Sequence, residues 1–449
     1  MTLVDTSRSE EMLATRRALL PSGVTGAGRW EDPYPLVFAR ARGQYIEDVD
    51  GTEYLDFHGG YGTAILGYSH PGVDGAVARA MADGQTFVGC AQVHEAALAE
   101  RLVDLLPEAE RIGFCGGGGS DPLYHAVRLA RAATGRRKIV KVEGGYQGWH
   151  SDLGASTVPP SGDIAPTHTP PTVPNSSGVL PQVTAAILAV SANDVDSLRA
   201  RFAEEGDEIA AVFVEPALYS SGCITVDPEY LRAARELCDT HGAVLVFDEV
   251  ICGFRSRVGG AAVPSGVVPD LAAYGKAIAN GHTFALLAGR AALMDQLAPA
   301  GDVFFSGTFN GAPLGVAAAT AVLDELESTD AMARAVRGCE RLAVGVNAAI
   351  AAHGLNAVVQ HHGSAWNLYF HTRKVRDVRD LAASLEHGTE ELNLAFRHHL
   401  RDHAIFMQRR AGTLRGFVSA AHTDADIDRT IDVIDAFLET HTPTLAVTS

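Results

Sequence analysis

Three stretches carry side chains whose types and spacing could do chemistry. Lys276 closes the apolar, small-residue run Leu271-Ala272-Ala273-Tyr274-Gly275. An ammonium there is costly to bury unless it is neutralised or used covalently, and an amine that condenses with a carbonyl would explain it. A snorkelling surface lysine is the commoner alternative. Asp248 and Glu249 end the apolar run Ala243-Val244-Leu245-Val246-Phe247. Acids at the carboxyl end of a central parallel strand face the crevice where α/β proteins bind ligands, although most such acids are caps or surface groups. Gly116-Gly117-Gly118-Gly119-Ser120-Asp121-Pro122 follows the apolar Ile112-Gly113-Phe114 and precedes the helical pattern LYHAVRLARAA. Glycines admit close backbone approach, Ser120 or Asp121 can cap the helix, and Pro122 suits its first turn. Exposed amides at such a start bind phosphate, whereas a plain tight turn reads equally well from this stretch alone.

The combination is more specific than its parts. A phosphate anchor, an acid for a ring nitrogen and a lysine for an aldehyde are what pyridoxal 5′-phosphate (PLP) requires.

The elements that must position these groups are legible as apolar runs: Ile112–Phe114, Lys138–Val142, Ala210–Glu215 and Ala243–Glu249, separated from about Asp74 onward by helical patterns. Strands alternating with helices predict a mostly parallel sheet covered on both faces. Before it, an amphipathic start (Glu10 to Leu20) is followed by LVFARARGQYIEDVDGTEYLDF, which reads as a β-hairpin broken at Asp50-Gly51. From about Ala321 onward helical patterns surround the strand-like pieces WNLYF and LRGFVSA, as in a smaller α+β domain. Ser151 to Gly178 is crowded with Pro, Ser, Thr and Gly and reads as a mobile surface loop, with a lid or partner-contacting role. Expected boundaries are 1–75 for the N-terminal part of the small domain, 76–320 for the large domain and 321–449 for the remainder of the small one.

Composition narrows the function. With 36 Lys+Arg against 54 Asp+Glu the formal net charge of the 449 residues is −18, which disfavours nucleic acid and anionic membranes as partners. At 47% hydrophobic and 20% charged residues the chain is too apolar for intrinsic disorder. No uninterrupted run of about 18 apolar residues occurs, and the start MTLVDTSRSEEML lacks the apolar core of a secretory leader. The six cysteines lie far apart with no C-x-x-C pair, and are expected to be reduced, mostly buried thiols of a cytoplasmic protein.

At this point the chain resembles the fold-type I, class III PLP-dependent aminotransferases, and within them the glutamate-1-semialdehyde 2,1-aminomutase group. The resemblance runs in order through Pro21-Ser22-Gly23-Val24, DVDGTEYLDF, LGYSHP, RLARAATGR, EGGYQGWH, FVEP, LVFDEVICGFR, PDLAAYGKAIANG, SGTFNGAPLGVAAA and FVSAAHTDADID. It implies an α/β large domain with a mostly parallel, seven-stranded type of sheet flanked by helices, and a smaller α+β domain built from both termini. Carried over by position, Lys276 looks like the lysine that joins the cofactor aldehyde and serves as base for the proton shift, and Asp248 the acid that keeps the pyridine nitrogen protonated. Gly118, Gly119 and Ser120 correspond to the phosphate grip and Tyr146 to the aromatic that stacks on the ring. Thr308 matches the residue that reaches the neighbouring subunit's phosphate, which implies a homodimer with shared sites.

Departures from the aminomutase pattern bear on substrate. Near Glu215-Pro216 the family's asparagine, which contacts the cofactor's phenolic oxygen, is Ser220. The family's Glu-Ala-Gly-Phe is Leu414-Arg415-Gly416-Phe417. A tryptophan becomes Tyr61, Gly26 replaces a serine beside the retained Arg29, and Gly-Leu-Pro becomes Gly281-His282-Thr283. Arg29, Tyr61 and Arg415 are therefore the expected substrate contacts of a rebuilt pocket. The resemblance implies an aminotransferase acting on small amine and carbonyl substrates, while the rebuilt pocket and the net charge of −18 point to an acceptor that is an aldehyde or ketone of a specialised, cationic compound such as an amino-sugar, aminoglycoside-like one. The alternatives are a glutamate-1-semialdehyde 2,1-aminomutase or another PLP-dependent mutase, epimerase or eliminase, and a catalytically idle binding subunit.

Other side chains carry less. His399 and His403 have an i, i+4 metal spacing, but among Arg397, Arg401 and Asp402 they read as a solvated helix face, so no metal is assigned. His361-His362 reads as a turn. Cys252, where the family usually has threonine, reads as a small buried residue rather than a reactive thiol.

Overall fold

A computed structural model describes residues 4–157, 168–385, 389–407 and 413–445. The chain divides into two compact units. The larger comprises Pro71–Met332 with Val375–Ala383, and the smaller Met1–His70, Ala333–Lys374 and Ser384–Ser449. The boundaries therefore differ from those expected at 75 and 320. Those positions would cut helices Pro71–Ala82 and Pro313–Ser328, which pack against one another inside the large unit.

The large unit is built on seven strands: β1 (Arg111–Cys115), β2 (Lys138–Val142), β3 (Ile187–Val190), β4 (Ile209–Val214), β5 (Val244–Glu249), β6 (Leu271–Tyr274) and β7 (Ala285–Gly289). Their spatial order is β1-β7-β6-β5-β4-β2-β3, and of the seven β7 alone runs against its neighbours. Every residue of β3 to β7 is buried, as expected when helices cover both faces of a sheet. Three of the strands, β3, β6 and β7, are not among the runs read as strands from the sequence, although Leu271–Tyr274 is the apolar stretch noted before Lys276. Their alanine-rich pieces, ILAV, LAAY and ALLAG, are too short to separate from buried helix by periodicity. Helix α1 (Ser120–Thr134) follows β1 and ends on Gly135 in the left-handed conformation.

The flanks of the long Pro- and Ser-rich segment are pinned. Leu153 and Ala155 are fully buried, and the Ser156 N–H donates to Val173 O at 2.6 Å. Residues 158–167, the middle of the Ser151–Gly178 stretch for which a lid or partner-contacting role is expected, lie outside the described residues.

In the small unit the expected hairpin is a three-stranded meander. Phe38–Arg42 pairs with Tyr45–Asp48 and that strand pairs with Glu53–Asp56, with a second reversal at Gly43 as well as the one at Asp50-Gly51. A three-stranded sheet (Ala357–His362, Ala365–Phe370, Leu414–Phe417) covers a core containing Trp366, Phe370, Phe396 and Phe437. His361 and His362 end the first of these strands rather than forming the turn, which falls at Gly363.

Candidate active site

The register of the large sheet brings the proposed chemistry to one edge. Phe247 pairs with Val214 and Asp248 with Ala273, so Glu215, Asp248 and the Tyr274-Gly275-Lys276 turn leave three adjacent parallel strands at their carboxyl ends. A Cβ built on Gly275 would lie 3.7 Å from the Gly119 nitrogen, so the lysine turn meets the glycine run directly. Lys276 has a left-handed backbone (φ 51°), a conformation that costs a non-glycine residue on the order of 1 kcal/mol and is typically held at functional sites.

Asp248 is 2% exposed, and its Oδ1 accepts the Val250 N–H at 3.0 Å. Burial pushes its pKa up to about 6, while the Val250 N–H and the ammonium groups of Lys276 and Lys141 pull it down. Glu215, also buried, is raised by burial and by the charge of Asp248. Its Oε1 accepts the Tyr146 N–H at 2.6 Å and Gln147 Nε2 at 3.2 Å.

The glycine run binds itself through Asp121, whose Oδ2 accepts the Gly117 N–H at 2.8 Å. Neither Ser120 nor Asp121 occupies the capping position, which falls to Gly119, with no side-chain cap. Gly118 has φ 138°, a value that side chains rarely tolerate. The loop bearing Thr308 lies alongside, since Asn310 Oδ1 accepts the Gly116 N–H at 3.0 Å. Thr308 itself is exposed.

These residues fit PLP on observations independent of sequence pattern. Ser220 is fully buried, and its hydroxyl oxygen finds no hydrogen-bond partner among the described residues, as expected of a group waiting for a ligand acceptor. Tyr146 is 39% exposed although its backbone is held by a buried carboxyl, so its ring offers a face. The start of α1, the buried acid and the lysine are of the types that an anchor for the phosphate, a partner for the ring nitrogen and an amine for the aldehyde would require.

The chain belongs to the class III aminotransferases. Residues 27–395 match the model of that family, Aminotransferase class-III. A glutamate-1-semialdehyde 2,1-aminomutase from Rhodopirellula baltica is 36% identical over 425 residues, 94% of each chain. An omega-transaminase from Sphaerobacter thermophilus superimposes with a TM-score of 0.88 at 31% identity, covering 96% of this chain and 97% of that one. A transaminase with PLP bound gives a TM-score of 0.87 at 26% identity, with 98% and 99% covered. The chain is accordingly a PLP-dependent enzyme of fold type I.

The expected substrate contacts belong to the small unit. Arg29 and Tyr61 line one cavity of about 440 Å³ together with His58 and Glu31. Tyr61 OH donates to Gly28 O at 2.7 Å, and Arg29 donates to the Thr25 hydroxyl. Arg415 is 8% exposed with its guanidinium 5.0 Å above the Phe417 ring. Leu414, standing where the family has an acid, is fully buried in the small unit's core.

Sequence reading passed over Lys141, Gln147 and Val250. Lys141 carried part of the signal of Lys276, a charge flanked by apolar residues, in a strand that also holds Lys138. Cys252 is buried, and its Sγ donates to Ala217 O at 3.4 Å. His399 Nε2 and His403 Nδ1 lie at hydrogen-bond distance from the Val433 and His399 carbonyls, 2.9 and 2.8 Å. Among the described residues no cluster of three or more His, Cys, Asp or Glu could hold a metal ion, and no helix is long and apolar enough to cross a membrane.

Proposed function

We propose that the protein is an aminotransferase that takes nitrogen from a separate amino donor and delivers it to the aldehyde or ketone of an amino-sugar, aminoglycoside-like acceptor. The observation that supports this reading is the convergence of Lys276, Asp248 and Glu215 at the carboxyl ends of three adjacent strands of the large sheet, where each feels the others' charge. PLP, when bound, supplies an electron sink for the carbon that bears the substrate nitrogen. Asp248 holds a proton on the ring nitrogen, and Ser220 Oγ donates to the phenolic oxygen. Tyr146 covers the ring, and the amides at the start of α1 bind the phosphate. Lys276 Nζ takes the proton from the substrate carbon and returns it one atom away, on the cofactor side.

The acceptor class rests on two features. Positions that carry polar or acidic groups in the aminomutase pattern are Gly26, Ser220 and the core residue Leu414 here, and the net charge of −18 raises the local concentration of cations. The Rhodopirellula relative supports a second reading, an intramolecular amine shift of the aminomutase kind. A homodimer with shared sites is part of the proposal: Trp149, Phe304 and Phe309 are 79%, 66% and 60% exposed, and Phe309 adjoins Thr308. So is a cytoplasmic location, in keeping with cysteines that form no disulfide.

The test is the visible spectrum of the PLP-loaded enzyme during titration with glutamate, diamino acids and amino-sugar antibiotics. The expected result is bleaching by one donor and by an amino sugar. A response to diaminovalerate alone, with turnover in the absence of a donor, selects the aminomutase reading.

A further inference from the structure

One buried side chain of the large unit has no part in the reaction outlined above. Lys141, fully buried on β2, donates from Nζ to Gly145 O at 2.7 Å and to Thr157 Oγ1 at 3.4 Å. Glu215, at the end of β4, accepts the Tyr146 N–H on Oε1. Gly145 O and Tyr146 N are the two ends of a single peptide group. We propose that Lys141 and Glu215 clamp this peptide from opposite ends and thereby set the position of the Tyr146 ring, making Lys141 a positioning residue for the cofactor. The proposal rests on the reading of Tyr146 as the ring that covers PLP.

The orientation follows from electrostatics. A peptide group carries a dipole of about 3.5 D with its negative end at oxygen, so oxygen toward an amine and N–H toward a carboxyl is the favourable arrangement. A flipped peptide would set oxygen against Glu215 and N–H against Lys141. The arrangement does not need a fixed charge state, because Lys141 donates and Glu215 Oε1 accepts whether or not either group is ionised. Burial lowers the Lys141 ammonium to about 7, and Glu215, Asp248 and Glu143 oppose that shift. Gln147 closes the turn by donating from Nε2 to the same Glu215 oxygen at 3.2 Å.

The experiment compares PLP affinity and the visible circular dichroism of bound PLP in the full-length enzyme and in the Lys141→Met, Glu215→Leu and double variants. Each is then repeated with Tyr146→Ala. A lost hydrogen bond of this kind is worth about ten-fold in affinity. The expected result is about a ten-fold loss in each single variant, a double variant little worse than the poorer single, and loss of more than half the dichroism in Lys141→Met. Lys141→Gln keeps a donor and should recover much of that signal; it also carries the cycle if Lys141→Met does not accumulate. Lys141→Met should add nothing once Tyr146 is alanine. Additive losses, or a full Lys141→Met effect without the Tyr146 ring, would overturn the clamp. If Tyr146→Ala alone changes neither readout, the stacking reading fails, and the positioning role falls with it.

Discussion

Val250 ties Gly119 to Asp248. Its N–H donates to Asp248 Oδ1 at 3.0 Å, and its side chain packs so closely on the glycine run that a Cβ at Gly119 would lie 2.4 Å from Cγ1. One residue thus registers the turn proposed to bind phosphate against the acid proposed for the ring nitrogen, through its N–H on one side and its β-branched side chain on the other. Gly119→Ala must push the turn away from β5. PLP retention after dialysis should fall at least ten-fold, about 1.4 kcal/mol. Val250→Ala, which keeps the N–H and removes the obstructing methyls, should restore most of it in the double variant. A double variant as weak as Gly119→Ala would mean that the glycine is needed for some other reason.

Replacing Asp248 by asparagine keeps an acceptor for Val250 N–H and removes only the charge. The fold and PLP content should survive. Transition-state stabilisation by one oriented charge is commonly worth about 10² to 10³ in rate, so kcat for the first half-reaction should fall by that order with little change in KM. Rapid-mixing absorbance measures it. A loss below three-fold would show that Asp248 does not govern the ring nitrogen.

How much of this was legible beforehand depended on how a residue announces itself. Lys276 and Asp248 stood out because a charge in an apolar run is costly, and β4 and β5 stood out because they are long and rich in Val, Leu and Phe. β6 was missed because LAAY is four residues with two alanines, and only pairing with β5 and β7 makes it a strand. Lys141 obeyed the same rule as Lys276 but stood in a strand with a second lysine, Lys138, which reads as an exposed end. Ser220 was reached only through the resemblance, and Val250 and the missing partner of the Ser220 hydroxyl carry no signal of type or spacing. Their meaning lies in distances that only folding creates.

The thiols offer an inexpensive check on the core. Cys115, Cys223, Cys238, Cys252 and Cys339 are buried, and burial raises the thiols of Cys115, Cys238 and Cys252, so little nucleophilic thiolate forms. Cys90 is exposed. A thiol reagent should therefore label one cysteine in the native enzyme and all six after denaturation. Fast labelling of Cys252 would contradict its place beneath Ala217.

Glu249 sets a measurable pH dependence of stability. It is 1% exposed, its Oε1 accepts the Ala261 N–H, and burial together with the nearby Glu108 and Asp248 raises it from 4.5 to about 8. Between those values the native state holds a proton that the unfolded chain has released, so the native state binds more protons and stability falls as pH rises. Below about 4.5 both states are protonated and the penalty vanishes; above about 8 both are ionised and it is constant. Glu249→Gln keeps the acceptor for Ala261 and cannot ionise. The variant should match the wild type near pH 5 and exceed it by an amount that grows toward pH 8, on the order of a few kcal/mol. Glu108, Asp248 and Tyr274 are common to both proteins, so their own titration largely cancels in the difference. Thermal midpoints of the two PLP-free proteins across that range decide the matter, and parallel curves would place the proton of Glu249 elsewhere.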